Sequence, residues 1–282
     1  MTRQRTIARE AFIEGVGLHT GNMTRATFRP APSGSGITLT RVDLKDRPSI
    51  KAGLTHVLGV TRGTTLGTEI FAVHTVEHLL ASCYAAGIDN MEILLSNNEP
   101  PVLDGSAKLF TELLLSAGAT EQDGAKRTIV INKPITYEAG TTKITAEPCD
   151  DFIIDCTIAF KHPALAHQQL CINITPDVFA REIAPARTFC FDYEIEALKN
   201  KGLARGGDLT NAIVVGIDGI HNPDKNLRFK DEFVRHKILD MVGDFYLLGA
   251  PVKGKITALR CGHGHNIKFA NEILKNSTIS GD

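Results

Sequence analysis

The chain is expected to fold as an α/β protein of the α+β type, built from two related halves, and three observations in the sequence point there. Segments of alternating polarity are followed by segments of helical spacing, and this succession occurs twice. A polar break with an Asp-Gly turn signal, Glu121-Gln-Asp-Gly-Ala-Lys126, falls near the middle. Shifting the chain by 162 residues lays His74-x-x-x-His78 over His236-x-x-x-Asp240 and Tyr84-Ala-Ala-Gly87 over Tyr246-Leu-Leu-Gly249, so each half offers one equivalent helix.

The segments Thr6 to Ile13, Ile37 to Val42, Met91 to Leu95, Arg127 to Ile131, Lys143 to Ala146 and Lys255 to Arg260 read as short strands. Val73 to Ala86, Ala107 to Ala117, Asp231 to Leu248 and Asn266 to Leu274 carry helical spacing, and the first and third end near a glycine suited to a left-handed cap. At 282 residues the chain exceeds the usual size of one domain, and the halves are expected at 1–122 and 123–282. Extra material at about 187–216 reads as an insertion in the second half, beside the site.

Lys and Arg total 31 against 32 Asp and Glu, a net charge of -1 that gives no global attraction to nucleic acid or anionic lipid. An anionic ligand must therefore be met by a local cluster. The six cysteines form no CxxC pair and mostly sit in apolar runs, which points to reduced core thiols and a reducing cytoplasm. No run approaches the roughly 20 apolar residues that cross a bilayer, so a soluble, unexported chain without stable membrane insertion is expected.

His236 and Asp240 stand four residues apart, one helical turn, which stacks an imidazole and a carboxylate on one face. Glu77-His78 lies in an equally helical stretch upstream, so two separated helices supply three metal ligands and a spare carboxylate. That is the make-up of an open catalytic zinc site with Glu77 left as base. His74-Thr-Val-Glu77-His78 also matches H-x-x-E-H, the inverted zinc-peptidase pattern. That class takes a third, glutamate ligand from a later helix, and the corresponding window, Asp150-Asp-Phe-Ile-Ile-Asp-Cys-Thr-Ile158, is strand-like and holds no glutamate. The plainer reading of His74 is a helix-face histidine bonded to a neighbour.

Seven blocks run in order along the chain: Gly15-Val-Gly-Leu-His19-Thr-Gly21, Thr75-Val-Glu-His78-Leu-Leu, Gly87-Ile-Asp-Asn90, Asp104-Gly-Ser106, Ala186-Arg-Thr-Phe189, the His236 to Asp244 helix, and Gly262-His263-x-x-Asn266. Together they resemble the UDP-3-O-acyl-N-acetylglucosamine deacetylases, the zinc amidases that commit bacteria to lipid A synthesis. The resemblance implies a small sheet and two helices in each half, with the helices of both halves sandwiched between the sheets and the site at their junction. It implies one Zn2+ on His78, His236 and Asp240, Glu77 as general base, and a protonated His263, paired with Asp244, at the oxyanion and leaving amine. Thr188 would add a hydroxyl to the tetrahedral intermediate, and Lys237 would reach substrate oxygens. His19, Phe160 and Arg260 fall where the family meets sugar and UDP. Phe189, Phe191 and Ile195 fall in its apolar passage for the acyl chain.

The expected partner is thus a small-molecule UDP-sugar bearing an acyl chain, with no nucleic acid, and the chain is expected to act as a monomer. A zinc peptidase and a nucleotide-sugar binder without catalysis are the alternatives, the second opposed by intact Glu77 and His263. Three positions depart from the family pattern: Cys190 where glycine is usual, Gly63 where a cysteine is usual, and His265 as a second imidazole beside His263 in what reads as a Gly-His-Gly turn.

Overall fold

The computed structural model describes residues 2–162 and 165–281; Met1 and Asp282, the outer limits of the expected halves, lie outside them. Two main sheets enclose the four longer helices. The first has five strands in the order Ala11–Val16, Met23–Pro30, Met91–Leu95, Ile37–Arg41 and Ser49–Lys51. All its pairs are antiparallel except Met91–Leu95 with Ile37–Arg41. Alternation decides which face is covered: along Met23–Pro30, Thr24, Ala26 and Phe28 turn inward while Met23, Arg25 and Arg29 face out.

The second sheet has seven strands and runs Ile135–Ala139, Thr142–Glu147, Val252–Leu259, Thr128–Val130 and Thr278–Ser280. Phe152–Ile158 also joins Val252–Leu259, in parallel, and carries Gln168–Asn173 on its other side. Ile144, Ala146, Ile154, Cys156, Ile256 and Ala258 make its buried face. Among the described residues six α-helices follow in chain order: α1 Glu77–Ala86, α2 Lys108–Ala117, α3 Pro176–Val178, α4 Ile195–Asn200, α5 Glu232–Tyr246 and α6 His263–Asn276. A short π-helical turn, Phe179–Ile183, continues α3.

Helix α1 shows why the layers close. Its sequence is apolar on nearly every side, and it gives Leu79, Leu80, Cys83 and Ala86 to the core of the first sheet and Ala81 and Ala85 to that of the second. Such a helix is stable only when covered all round. It packs against α5, and each leucine is fully buried, so truncation to alanine should cost about 2–5 kcal/mol. The sandwich of helices between sheets is therefore present.

Several expected elements differ in detail. Thr6 to Ile13 is not one strand: the chain bends at exposed Ala8-Arg9-Glu10, and Arg3–Ile7 pairs with Ala119–Ala125 while Ala11–Val16 joins the first sheet. Period-two alternation cannot register a bend whose residues all face solvent. The Asp123-Gly124 turn signal is absorbed into a bulge inside Ala119–Ala125, opposite Gln4. Helix α1 begins at Glu77, not Val73, because Ala72–Val73 pairs as a strand and Thr75 has φ 54°. Gly87 closes α1 in the left-handed conformation, as its sequence suggests. No described helix is long and apolar enough to cross a membrane. All six cysteines are free; Cys83 and Cys156 are buried core thiols, but Cys171 is exposed on an outward-facing strand position.

Candidate active site

The site lies where α1 meets α5. His236 and Asp240 share one face of α5, and His78 from the first turn of α1 faces them, so the ligand atoms of all three lie within 4.8 Å of one another. Asp240 Oδ1 is 3.4 Å from His236 Nε2 and 3.7 Å from His78 Nε2. Ligand atoms about 2.0–2.2 Å from one tetrahedral ion stand roughly 3.3–3.6 Å apart, so the spacing suits a small divalent cation.

Two further observations fit a metal. Asp240 Oδ1 is buried without a hydrogen-bond partner, a costly arrangement for a carboxylate unless a cation completes it. His236 Nδ1 bonds the Ala186 carbonyl at 3.1 Å, which puts the proton on that nitrogen and leaves the Nε2 lone pair facing Asp240. Burial is the largest influence on His236 and holds its pKa down at about 3, against the pull of Asp240, so the ring stays neutral as a ligand must. Burial opposes ionisation of Asp240, yet Lys237, His236 and His263 outweigh it and keep the carboxyl well below its usual range. Lys237 Nζ bonds Asp240 Oδ2 at 2.8 Å and stands 5.6 Å from the Phe189 ring centre.

Glu77 precedes His78 and turns away from it, as consecutive helix residues must. It is 2% exposed, and Oε2 accepts the Thr64 N–H at 2.9 Å. Burial raises its pKa, Asp240 and Asp244 add to this, and His263 and His78 oppose it. The carboxylate is thus a stronger base than a solvated glutamate.

His263 is the first residue of α6 rather than part of a loop. Its Nδ1 bonds Asp244 at 3.0 Å, while Nε2 stands 3.8 Å from both Glu77 Oε1 and Asp240 Oδ2. Burial alone would depress its pKa; the carboxylates of Asp244, Asp240 and Glu77 overcome that and raise it to about 10. The competing imidazole, His265, points elsewhere and meets the Tyr137 hydroxyl at 3.1 Å.

The remaining expected residues sort by place. Thr188, Phe189, Ile195 and His19 line a cavity of about 260 Å³ with Leu18, Leu198 and Val214, walled largely by residues 188–214. Cys190 stands in the same wall. Phe191 is not in that lining: it is 5% exposed and packs in the second core against Phe160, whose ring centre is 5.5 Å away. Phe160 follows strand Phe152–Ile158 and exposed Arg260 follows Val252–Leu259, so they stand at the same end of two paired strands, where Arg260 N donates to Thr157 O. His74, off the helix, bonds Thr65 Oγ1 at 3.1 Å and belongs to neither cluster of metal-capable groups among the described residues, which removes the first histidine of the peptidase pattern. A Cβ at Gly63 would approach Glu77 Oε1 to 3.0 Å, so the side chain missing there would have stood beside the Glu77 carboxylate.

Sequence reasoning missed three residues. Buried Thr64 donates its hydroxyl to Asp244 Oδ1 at 2.5 Å, Asn266 donates to Asp244 Oδ2 at 2.8 Å, and buried Glu99 receives four donors from His19, Thr20 and Thr75. Thr64 and Glu99 carry no spacing signal; Asn266 sits within a matched block, one helical turn after His263.

Comparison with known proteins places the chain in a family. The chain is 45% identical over 273 residues to the UDP-3-O-acyl-N-acetylglucosamine deacetylase of Myxococcus xanthus, covering 97% of this chain and 87% of that one. It is 44% identical to the protein of that name from Saccharophagus degradans, covering 98% and 91%, and 41% identical to that from Geobacter sp., covering 98% and 90%. The family model described as UDP-3-O-acyl N-acetylglycosamine deacetylase matches residues 4–275, and the chain belongs to that family.

Proposed function

We propose that this chain hydrolyses the N-acetyl amide of UDP-3-O-acyl-N-acetylglucosamine to acetate and UDP-3-O-acyl-glucosamine, the committed step of lipid A biosynthesis. The observation that carries the reading is the orphaned Asp240 oxygen between two histidines, with Glu77 and His263 on either side of the same space. His78, His236 and Asp240 would hold one zinc ion, which when bound supplies Lewis acidity and lowers the pKa of water.

The chain's own groups divide the protons. Glu77 takes one from the attacking water as its oxygen joins the acetyl carbon. His263, charged, donates a hydrogen bond to the carbonyl oxygen as that atom becomes an oxyanion, then gives its proton to the amine nitrogen as the C–N bond breaks. Asp244 keeps the ring oriented, and Thr188 adds a hydroxyl at the same oxygen. The insertion cavity takes the acyl chain, with apolar Phe189, Ile195 and Leu198 suited to it. His19, Phe160 and Arg260 would meet the sugar, base and diphosphate, Arg260 through its fixed charge. A cytoplasmic monomer fits the free thiols and the absence of a spanning helix among the described residues.

The test is direct: the purified protein with zinc and this substrate should release acetate and free amine one for one, and Glu77→Gln should abolish both while retaining zinc. An unmutated, zinc-loaded protein that releases no acetate would sink the assignment.

A further inference from the structure

Glu99 is 0% exposed, yet no Lys or Arg among the described residues forms an ion pair with it. Its carboxylate is met by four N–H and O–H donors from two separate pieces of chain. His19 N reaches Oε1 at 3.0 Å, and Thr20 N and Thr20 Oγ1 reach Oε2 at 2.7 and 2.8 Å. Thr75 Oγ1 reaches Oε1 at 2.7 Å.

Each piece leads to a different part of the site. The loop around His19 supplies Leu18 and His19 to the acyl cavity and is fastened to the insertion, with Arg205 N on the His19 carbonyl at 3.2 Å and Gly206 N on the Leu18 carbonyl at 3.1 Å. The loop lies so close that a Cβ at Gly17 would come within 2.5 Å of Glu99 Oε2. Thr75 stands two residues before Glu77 and three before His78, with φ 54°, a conformation a β-branched residue adopts only where its surroundings enforce it. The Glu99 carboxylate is one of the groups enforcing it.

We propose that Glu99 is a positioning residue that couples the wall of the acyl cavity to the turn presenting Glu77 and His78. It is fully buried and belongs to neither cluster of metal-capable groups among the described residues. Through Thr75 it fixes where α1 starts, and through His19 and Thr20 it fixes where the cavity wall stands relative to that start. The inference rests on the deacetylase reading.

Glu99→Gln keeps the shape but turns an NH2 group toward N–H or O–H donors at one end. In the full-length zinc-loaded enzyme acting on UDP-3-O-acyl-N-acetylglucosamine, zinc content should be unchanged, kcat should fall on the order of 10²-fold, as for a reacting group misplaced by about 1 Å, and KM should rise. The two arms separate by single changes. Thr75→Val should lower kcat with KM held, Thr75→Ser should restore kcat because it keeps the hydroxyl, and Thr20→Val should raise KM with kcat held. A purely structural role would lower the melting temperature of Glu99→Gln while leaving both constants of the folded enzyme intact, and that result overturns the proposal. So does equal impairment in Thr75→Val and Thr75→Ser, a comparison that remains decisive even if Glu99→Gln fails to fold. An inactive parent enzyme would overturn the deacetylase reading as well; near-normal Glu99→Gln against an active parent overturns this inference alone.

Discussion

His263 Nδ1 and Asp244 Oδ2 stand 3.0 Å apart, and the same carboxylate takes a second bond from Asn266 and, through its other oxygen, a third from Thr64. A carboxylate so fully occupied cannot rotate away from the imidazole, so the ring's outer nitrogen stays aimed at the gap between Glu77 and Asp240. Asp244→Asn removes the charge that most raises the His263 pKa. The active imidazolium is lost as pH rises, so the basic limb of the kcat/KM profile should move to lower pH, with Thr64→Val moving it less. Rate profiles between pH 5 and 10 check this; an unmoved limb in Asp244→Asn would detach His263 from it.

The same linkage appears in stability. The folded pKa of His263 lies above its ordinary 6.5, at about 10, so its contribution to the metal-free protein is full below the ordinary value and fades as pH rises toward 10. Denaturant titrations of the metal-free protein at pH 6 and pH 10 should show that loss, and it should be smaller in His263→Gln.

Asp240→Ala should lower zinc content sharply while His74→Ala leaves it near one per chain, because Asp240 presents an unpartnered oxygen to both His78 and His236 and His74 stands outside that cluster. Elemental analysis after dialysis reads the outcome. Full occupancy in Asp240→Ala would remove that residue from the ligand set.

Arg187 and Glu232 form a two-pronged pair at 2.9 and 3.2 Å, with Glu232 0% exposed, and Arg187 N also donates to Glu232 Oε1. Removing one partner strands the other charge in the interior, so Arg187→Ala should cost about 3–5 kcal/mol. Thr188 is the next residue, so catalysis should fall alongside stability. Equilibrium unfolding measures the first effect; a loss below 1 kcal/mol would mean that water reaches Glu232.

The proposed seating of the acyl chain in the cavity of about 260 Å³ predicts a length rule. Each methylene taken from water is worth about 0.8 kcal/mol, or roughly a fourfold gain in kcat/KM, until the cavity is full. Ile195→Trp should shorten the series at which this gain stops, while short-chain substrates keep their rate. A series of synthetic acyl lengths decides the matter, and a flat response in the unmutated enzyme would place the chain elsewhere.

Much of this was legible from local pattern. The helical spacing of Asp231 to Leu248 placed His236 and Asp240 on one face, and the strand alternation of Lys143 to Ala146 and Ile37 to Val42 gave true strands, because periodicity reports which side of an element is covered. The start of α1 was not legible: Thr75 leaves the helical region against its own preference, held by a carboxylate 24 residues on. Thr64 escaped notice because a hydroxyl becomes part of a site only through the distant Asp244 it meets. Phe191 and Phe189 have the same chemistry and stand two residues apart, yet one is core and one lines the cavity.

At Gly243, between Asp240 and Asp244, an added Cβ would come within 2.1 Å of the Glu77 carbonyl oxygen. The two helices therefore touch backbone to backbone at the level of Glu77, His78 and Asp240, with no side chain between them to act as a shim. Repacking elsewhere in the core can be absorbed by rotamers; this separation cannot. The gauge of the whole site is thus set by one absent methyl group, and any larger residue at position 243 would wedge the α1 contribution to the centre away from that of α5.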